Sequence, residues 1–308
     1  MLITLAICTR NRAASLARTL ESIERSKRVA CEWELLVTDN GSTDGTADIV
    51  VAFKERLPIR MQTELTPGVA NARNAAANAA AGRYIVWTDD DVVVDPGWFS
   101  AYLDSFQAYP GDDLFAGRIV PVLEQPVTDW FEEIAPCIHL VLAVRDMGDV
   151  AIPLTLGGEH IPYTANCAVR TEVQRLFAFD PRRGAGALYF GEETTSFKAM
   201  LAAGHSGRWV PGSRVDHMIS STRQSLKYIR WWYEALGRTL VWEDTEPNTD
   251  RKLFGAPRWL WRRAITGELA FRVAHLTAPP EVWIKKLVQV SLDRGHLRQF
   301  LTMSATTS

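Results

Sequence analysis

The sequence predicts an α/β protein: a mainly parallel central sheet flanked by helices, followed by a helical C-terminal extension. Three observations carry this. Apolar strand-like runs alternate with helical patterns through the first half of the chain, which is the signature of βαβ units. Acidic residues gather where those runs end, and in parallel sheets ligands bind beyond the carboxyl ends of the strands. From about Leu226 the pattern turns helical and rich in Trp, Tyr and Arg. The expected division is one domain over residues 1–222 and a helical extension over residues 223–308.

The elements follow in order. "LITLAICT" is a continuous apolar strand, and "RNRAASLARTLESIERS" puts Leu16, Leu20 and Ile23 on one helical face. "WELLVTD" is the second strand. "NGSTDGT" is a turn in which Asp44 or Thr43 caps the next helix. "IRMQTE" is a short third strand. "GVANARNAAANAAAG" reads as an Ala-rich helix closed by Gly82, because Ala favours helix and permits close packing. "RYIVWTD" is the fourth strand. Further on, "LFAGRIVP" and "TANCAVR" are strand-like, "GEETTSFKAMLAAG" is a helix closed by Gly204, and "RWVPGSRVDH" makes one or two short strands. "LKYIRWWYEALGRTLVWE", "APRWLWRRAI" and "PPEVWIKKLVQVSLDRGHLRQFL" are helical, and "EDTEPNTDRK" is the linker candidate.

A chain of 308 residues, 47% hydrophobic and 23% charged, has the composition of a globular protein with a sizeable core. The formal net charge of −2 hides an asymmetry. From Arg251 onward there are ten Lys or Arg and three Asp or Glu, a net of +7, so the rest carries −9. That acidic body argues against nucleic acid as a partner. Cys8, Cys31, Cys137 and Cys167 have no metal-type or redox-type spacing. Cys8 and Cys167 lie in apolar runs and read as buried free thiols, which suits a reducing cytoplasm. "MLITLAIC" is too short for a signal peptide, and no apolar run approaches the ~18 residues of a spanning helix. The expectation is a cytoplasmic protein, soluble or peripheral at the inner face of the cell membrane.

The stretch "YIVWTDDDVVVDPGW" ends an apolar run in Asp89, Asp90 and Asp91. Within about 4 Å, at an effective dielectric near 20, each like-charged pair repels by roughly 4 kcal/mol. On an ordinary turn, water screens that. At the mouth of a buried strand a cation does so better, and carboxylate oxygens suit Mg²⁺ or Mn²⁺. An EF-hand is excluded, since Val93 occupies the fifth loop position and the Gly and terminal Glu are missing. "GAGALY" fails as a dinucleotide fingerprint, and there is no Walker-type loop, zinc spacing or Gly-x-Ser-x-Gly elbow.

Four pieces in order, "ICTRNRAASLARTLESI", "VTDNGSTDGT", "GVANARNAAANAAAGRYIVWTDDD" and "TANCAVR…GEETTSFKAMLAAG", resemble inverting family 2 glycosyltransferases of the GT-A fold. The resemblance covers roughly residues 2 to 220. It implies that Thr9, Asn11 and Arg12 line a nucleotide pocket and that Asp39 accepts a hydrogen bond from the donor's base. The bland reading of Asp39 is a turn-forming residue in "DNGS". Arg73 matches a helix Arg near the nucleotide, against an ordinary surface Arg. The family's Asp-x-Asp element falls on Asp89 and Asp91. By resemblance Asp91 binds the metal, while Asp89 and Asp90 contact ribose or metal-bound water. The family's Glu-Asp appears here as Glu192 and Glu193, so the catalytic base falls on Glu193 or, with a small offset, on Glu192. Acids at a helix start are also favoured by its dipole alone. His217 in "RVDHMISS" matches a third metal ligand of some relatives, against a core or loop His. Asn166 matches a position lining the sugar and acceptor pocket, against a strand-end Asn.

The implied activity is metal-dependent transfer from a nucleotide-diphosphate sugar, a UDP-sugar, to a glycan or lipid-linked acceptor in polysaccharide biosynthesis. A nucleotidyltransferase would share the carboxylate cluster, but it usually has a Gly-rich loop after its first strand, and "CTRNRAAS" has none. A non-catalytic scaffold for nucleotide or membrane is disfavoured by the intact acidic cluster and "GEE". In the basic tail, Trp231, Trp232, Trp259, Trp261 and Trp283 are interleaved with Arg258, Arg262, Arg263, Lys285 and Lys286. This suits a membrane interface, and it suits equally packing on the catalytic domain or on a second copy in a homodimer.

Overall fold

Buried strands separated by amphipathic helices build the first part of the chain as the patterning requires. The computed structural model describes residues 2–27, 30–157, 160–244 and 250–306. Strand β1 (Ile3–Thr9) leads through α1 (Ala13–Arg25) to β2 (Trp33–Asp39). It continues through α2 (Thr46–Ala52), β3 (Ile59–Thr63) and α3 (Val69–Ala79) to β4 (Tyr84–Asp89). These strands lie in the order β3-β2-β1-β4, all parallel. Then come β5 (Val92–Val94), α4 (Trp98–Ala108), β6 (Leu114–Leu123), α5 (Asp129–Ile134), β7 (Asn166–Arg170), α6 (Thr171–Leu176), α7 (Glu192–Ala202) and β8 (Gly207–Ile219). Among the described residues the sheet has eight strands, ordered β3-β2-β1-β4-β7-β6-β8-β5. Its parallel character belongs to the first four strands. β7 runs antiparallel to both β4 and β6, and β5 antiparallel to β8. "RWVPGSRVDH" lies within a single 13-residue strand.

Side chains alternate across each strand, and both faces are covered. On one face Leu5 and Ile7 pack with Leu16, Leu20 and Ile23 of α1, Val50 of α2, and Trp98 and Tyr102 of α4. On the other, Ala6 meets Ala70, Ala76 and Ala77 of α3 and Phe197 and Met200 of α7. Burial on both faces explains why the strands read as continuous apolar runs. Helix α3 stops at Ala80, whose backbone is no longer helical (φ −59°, ψ 128°), so Gly82 does not close it. Gly82 is needed for close approach: a Cβ there would lie 2.3 Å from the Thr4 backbone nitrogen. Asp44 serves two helices, accepting from the backbone N–H of Thr46 (3.0 Å) and of Ala13 (3.1 Å). The Thr46 hydroxyl and these N–H groups hold its carboxyl below the usual range. All four cysteines are free, and burial pushes the Cys8 thiol up to about 12.

The chain forms two compact units. One comprises residues 1–122, 143–187 and 191–218, and the other residues 123–142, 188–190 and 219–308. The second unit holds α5, α8 (Leu226–Glu243), a hairpin of β9 (Lys252–Leu253) and β10 (Ala256–Pro257), α9 (Arg258–Thr277) and α10 (Pro280–Thr306). Helices α8 and α10 approach closely because both are glycine at the crossing. A Cβ on Gly237 would meet the Leu292 carbonyl at 2.4 Å, and one on Gly295 the Glu234 carbonyl at 2.1 Å. Buried Glu234 of α8 pairs with Arg294 (3.0 Å) and Arg298 (2.7 Å) of α10. Trp283 is buried against Trp130 and His275, and Trp232 packs on Phe190 and Tyr233. Half of the linker candidate, residues 243–252, falls on 245–249, outside the described residues, while Glu243 ends α8 and Lys252 opens β9. Among the described residues no helix is long and apolar enough to cross a membrane.

Candidate active site

The parallel strands deliver polar side chains to one end of the sheet. β1 and β4 pair in register through Cys8 and Asp89, so the loops after both strands meet. Asp90 is buried there. Its carboxylate accepts from the Thr9 hydroxyl at 2.7 Å and from Arg12 Nη1 at 3.2 Å. The same Arg12 nitrogen donates to Asp91 Oδ2 at 2.7 Å. Burial pushes the Asp90 carboxyl up to about 7, against the lowering effect of Arg12. The acids and Asp90's neighbours in turn keep the Arg12 guanidinium firmly charged.

Asp91 is placed by the next pairing. Its carbonyl accepts from the Met218 N–H at 2.9 Å, and Val92 of β5 lies opposite His217 of β8. That register sets His217 Nε2 3.5 Å from Asp91 Oδ1. Two ligands of an octahedral ion at about 2.1 Å, taken at right angles, stand about 3 Å apart. The Asp91–His217 pair therefore fits as two protein ligands of Mg²⁺ or Mn²⁺, ions that keep water and take phosphate oxygens in their other positions. Asp89 is drawn elsewhere, to Arg73 Nη2 at 3.2 Å. Among the described residues no group of three His, Cys, Asp or Glu side chains is placed to hold a metal.

Arg73, on α3, is the centre of the arrangement. It is buried, and its fork reaches Asp89 at one nitrogen and Glu192 Oε1 at the other, with Glu193 Oε2 3.8 Å from that second nitrogen. Glu192 and Glu193 open α7, where the helix dipole favours acids. Glu192 is buried on Arg73. Glu193 Oε2 accepts from both the N–H (2.9 Å) and the hydroxyl of Thr164, and Oε1 makes no hydrogen bond among the described residues. Burial pushes Glu193 up to about 7, although Arg73 opposes it. Five carboxylates thus face two guanidiniums, and burial, with the neighbouring acids adding to it, raises the carboxyls of Asp90 and Glu193 above the ordinary carboxylate range.

Asp39, at the end of β2, accepts from the N–H and hydroxyl of Ser42 through Oδ1, so its turn-forming role is real. Its Oδ2 makes no hydrogen bond among the described residues. Asn11 adopts positive φ (52°) and ties the β1 loop to the β2 loop, receiving the Thr43 N–H at 2.7 Å and donating its own N–H to Ser42 at 2.9 Å. Asn166 is not brought to this cluster. It lies in the core, where Oδ1 accepts from Trp98 Nε1 (2.7 Å) and the Tyr102 hydroxyl (2.8 Å), and Nδ2 donates to the carbonyls of Arg118 and Ser213. Thr164 and Ser42 were not anticipated. Thr164 opens the "TANCAVR" stretch, but nothing local marks it as the partner of a residue 29 positions away.

The sequence matches the family model described as glycosyl transferase family 2 over residues 4–161, just over half of the chain. Validoxylamine A glucosyltransferase from Streptomyces hygroscopicus subsp. jinggangensis is 36% identical over 104 residues, 33% of this chain and 25% of that protein. A UDP-Glc:alpha-D-GlcNAc-diphosphoundecaprenol beta-1,3-glucosyltransferase from Escherichia coli is 38% identical over 65 residues, 21% of this chain and 26% of that protein. The chain thus spans about a quarter of the length of the curated relatives it matches. A mannosyltransferase from Pyrobaculum calidifontis, solved in complex with GDP-Man and Mn²⁺, shares the fold with a TM-score of 0.61 at 19% identity, over 97% of this chain and 87% of that one. These likenesses carry the architecture: a GT-A fold with further helices at its C-terminal end.

Proposed function

Because the chain belongs to glycosyl transferase family 2, we propose that it moves one sugar from a nucleotide-diphosphate sugar, a UDP-sugar, to an acceptor hydroxyl with inversion at the anomeric carbon. The observation that carries this reading is the single buried Arg73, whose two nitrogens hold the strand-end acid Asp89 and the helix-start acid Glu192 in one cluster. A direct displacement needs donor and acceptor positioned within one such cluster.

The donor is assigned to the ends of β1, β2 and β4. Asp39 Oδ2 accepts from a base N–H such as uracil's, while Ser42 fixes Oδ1. Asn11 holds the two loops together there. Arg12, partly exposed at the mouth, supplies positive charge toward the phosphates. Thr9 and Arg12 orient Asp90 toward ribose or metal-bound water. A divalent cation, Mn²⁺ or Mg²⁺, held by Asp91 and His217 with Asp89 nearby, would offset the charge growing on the leaving diphosphate. Glu193 takes the acceptor's proton through Oε1, with Thr164 fixing the other oxygen. Glu192 and Arg73 position that carboxylate without touching the proton.

The transfer chemistry is assigned to residues 1–222 and a helical extension to residues 223–308. The Escherichia coli relative is named for UDP-Glc and for a lipid-diphosphate acceptor. This supports a UDP-sugar donor and a lipid-linked or polysaccharide-precursor acceptor, with the protein on the cytoplasmic side and peripheral at the inner membrane face. The test is release of UDP from a panel of nucleotide sugars, with and without Mn²⁺ or Mg²⁺, followed by NMR of the product's anomeric configuration. No UDP release from any donor with either metal, or a product that retains the donor configuration, would refute the reading.

A further inference from the structure

We propose that the outward face of α9 is a docking surface for an anionic phospholipid bilayer. This goes beyond the transferase reading, and its test needs neither donor nor acceptor.

Helix α9 has two apolar faces, and only one is used inside its unit. Leu260, Ala264, Phe271 and Ala274 are buried. Ile265, Leu269, Val273 and Leu276, spaced by four, four and three residues, fall on the opposite side. They are 59%, 58%, 63% and 85% exposed. A helix of a water-soluble surface places polar groups there, and contiguous exposed apolar side chains mark an interaction site. From Ile265 to Leu276 the row covers 11 residue steps, about 16 Å at 1.5 Å per residue. At its N-terminal end stands the tip of the β9–β10 hairpin. There Phe254, 78% exposed, meets Trp261 edge-on at 6.2 Å between centroids.

Charge selects the occupant. Arg258 and Arg262 share the outward face of α9, and Arg251 and Lys252 of the hairpin leading into it and Lys285 and Lys286 early in α10 are exposed. The one acid of α9, Glu268, is engaged by Arg230 (2.7 Å), Arg272 (3.2 Å) and Arg294 (3.4 Å). A second copy docked through the same face about a two-fold axis would bring a second set of basic residues, Arg258 and Arg262, unpaired among the described residues, to the interface with no acid to offset them. An anionic bilayer complements both the charge and the apolar row, with the helix lying in the interfacial plane. Trp231 and Trp259 are exposed, but two of the tail tryptophans are not the contact: Trp283 is buried, and Trp232 packs inside its unit. The aliphatic row takes their place.

The experiment is co-sedimentation of the full chain with vesicles of phosphatidylcholine alone or mixed with phosphatidylglycerol. Binding is expected only to the mixed vesicles, weakening as salt is raised. Leu269→Glu with Leu276→Glu changes two exposed positions, so the circular-dichroism melt should hold while partitioning drops about tenfold or more. Arg258→Gln and Arg262→Gln should each weaken binding about fivefold. The proposal is overturned if the wild-type chain fails to bind mixed vesicles at low salt. It is overturned equally if the double Glu variant, still folded, binds like wild type. A wild-type dimer in analytical ultracentrifugation that the double Glu variant makes monomeric, with vesicle binding unchanged, would assign the face to a second copy instead.

Discussion

Glu193→Gln separates the proposed chemistry from the fold. Glutamine keeps the volume, and its carbonyl oxygen accepts from Thr164 as Oε2 does. What disappears is the proton acceptor. A positioned base contributes ~10²–10⁴ in rate, about 3–5 kcal/mol of barrier. Turnover, followed as UDP release, should fall by that factor while UDP-sugar affinity by calorimetry is unchanged. The same change should stabilise the protein at alkaline pH. Burial pushes the Glu193 carboxyl from 4.5 to about 7, so ionising it costs more in the folded state than in the unfolded one. That cost is absent below about 4.5, grows as pH rises, and is complete above about 7. Gln removes that cost, so the variant should gain stability wherever Glu193 would be ionised. Urea unfolding of the metal-free protein at pH 8 should show the variant more stable, with the difference vanishing at pH 4. The wild-type kcat/KM should fall as pH drops through about 7, because the base must be ionised. Wild-type turnover in Glu193→Gln would refute the assignment. An inactive Glu192→Gln beside an active Glu193→Gln would move the base one residue back.

Asp91→Ala removes a buried carboxylate that faces Arg12 and His217 and belongs to neither apolar core cluster; metal-dependent UDP binding should weaken strongly in calorimetry while a cooperative thermal melt persists, and unchanged affinity would discard Asp91 as a ligand. Arg73→Lys replaces a fork with a point charge that cannot span Asp89 and Glu192 together. It should cost about 1.5–3 kcal/mol in urea unfolding, and an unaltered midpoint would show that the brace is dispensable. Asn166→Ala strips the acceptor from Trp98 Nε1 and the Tyr102 hydroxyl. At about 1–3 kcal/mol for each stranded donor, stability should fall by several kcal/mol, with unaltered metal-dependent UDP affinity in the folded fraction.

Local signals made much of the first unit legible. β1, β2 and β4 read as mostly apolar runs because both faces are covered, and the 3.6 period of Leu16, Leu20 and Ile23 marks α1. The acids stood out because three carboxylates in a row at a strand end have no packing explanation. Helix α4 was missed: its buried residues are aromatics, of which Trp98 and Tyr102 close on the Asn166 amide, and a helical face of Trp and Tyr looks like strand in isolation. Thr164 holding Glu193, and Asn166 turned into the core, depend on pairings 29 to 68 residues apart, which no local window contains. In the tail, composition pointed to Trp and Arg together. Only the helix packing reveals which apolar residues face outward.

The interleaving of the two units limits how this chain can be cut or borrowed. Before its final run into the helices, the polypeptide visits the second unit twice, at residues 123–142 and 188–190. On the shorter visit Tyr189 stacks on Trp242 at 4.2 Å, and the Phe190 N–H donates to the Thr239 hydroxyl at 2.9 Å. The very next residues are Gly191, Glu192 and Glu193. A truncation after residue 222 would remove α8 and strip both aromatics of their partners one peptide link from the segment that bears the proposed base. The C-terminal helices are therefore no detachable module, and a chimaera that grafts the first 222 residues onto another scaffold would need to carry replacements for Thr239 and Trp242 with it.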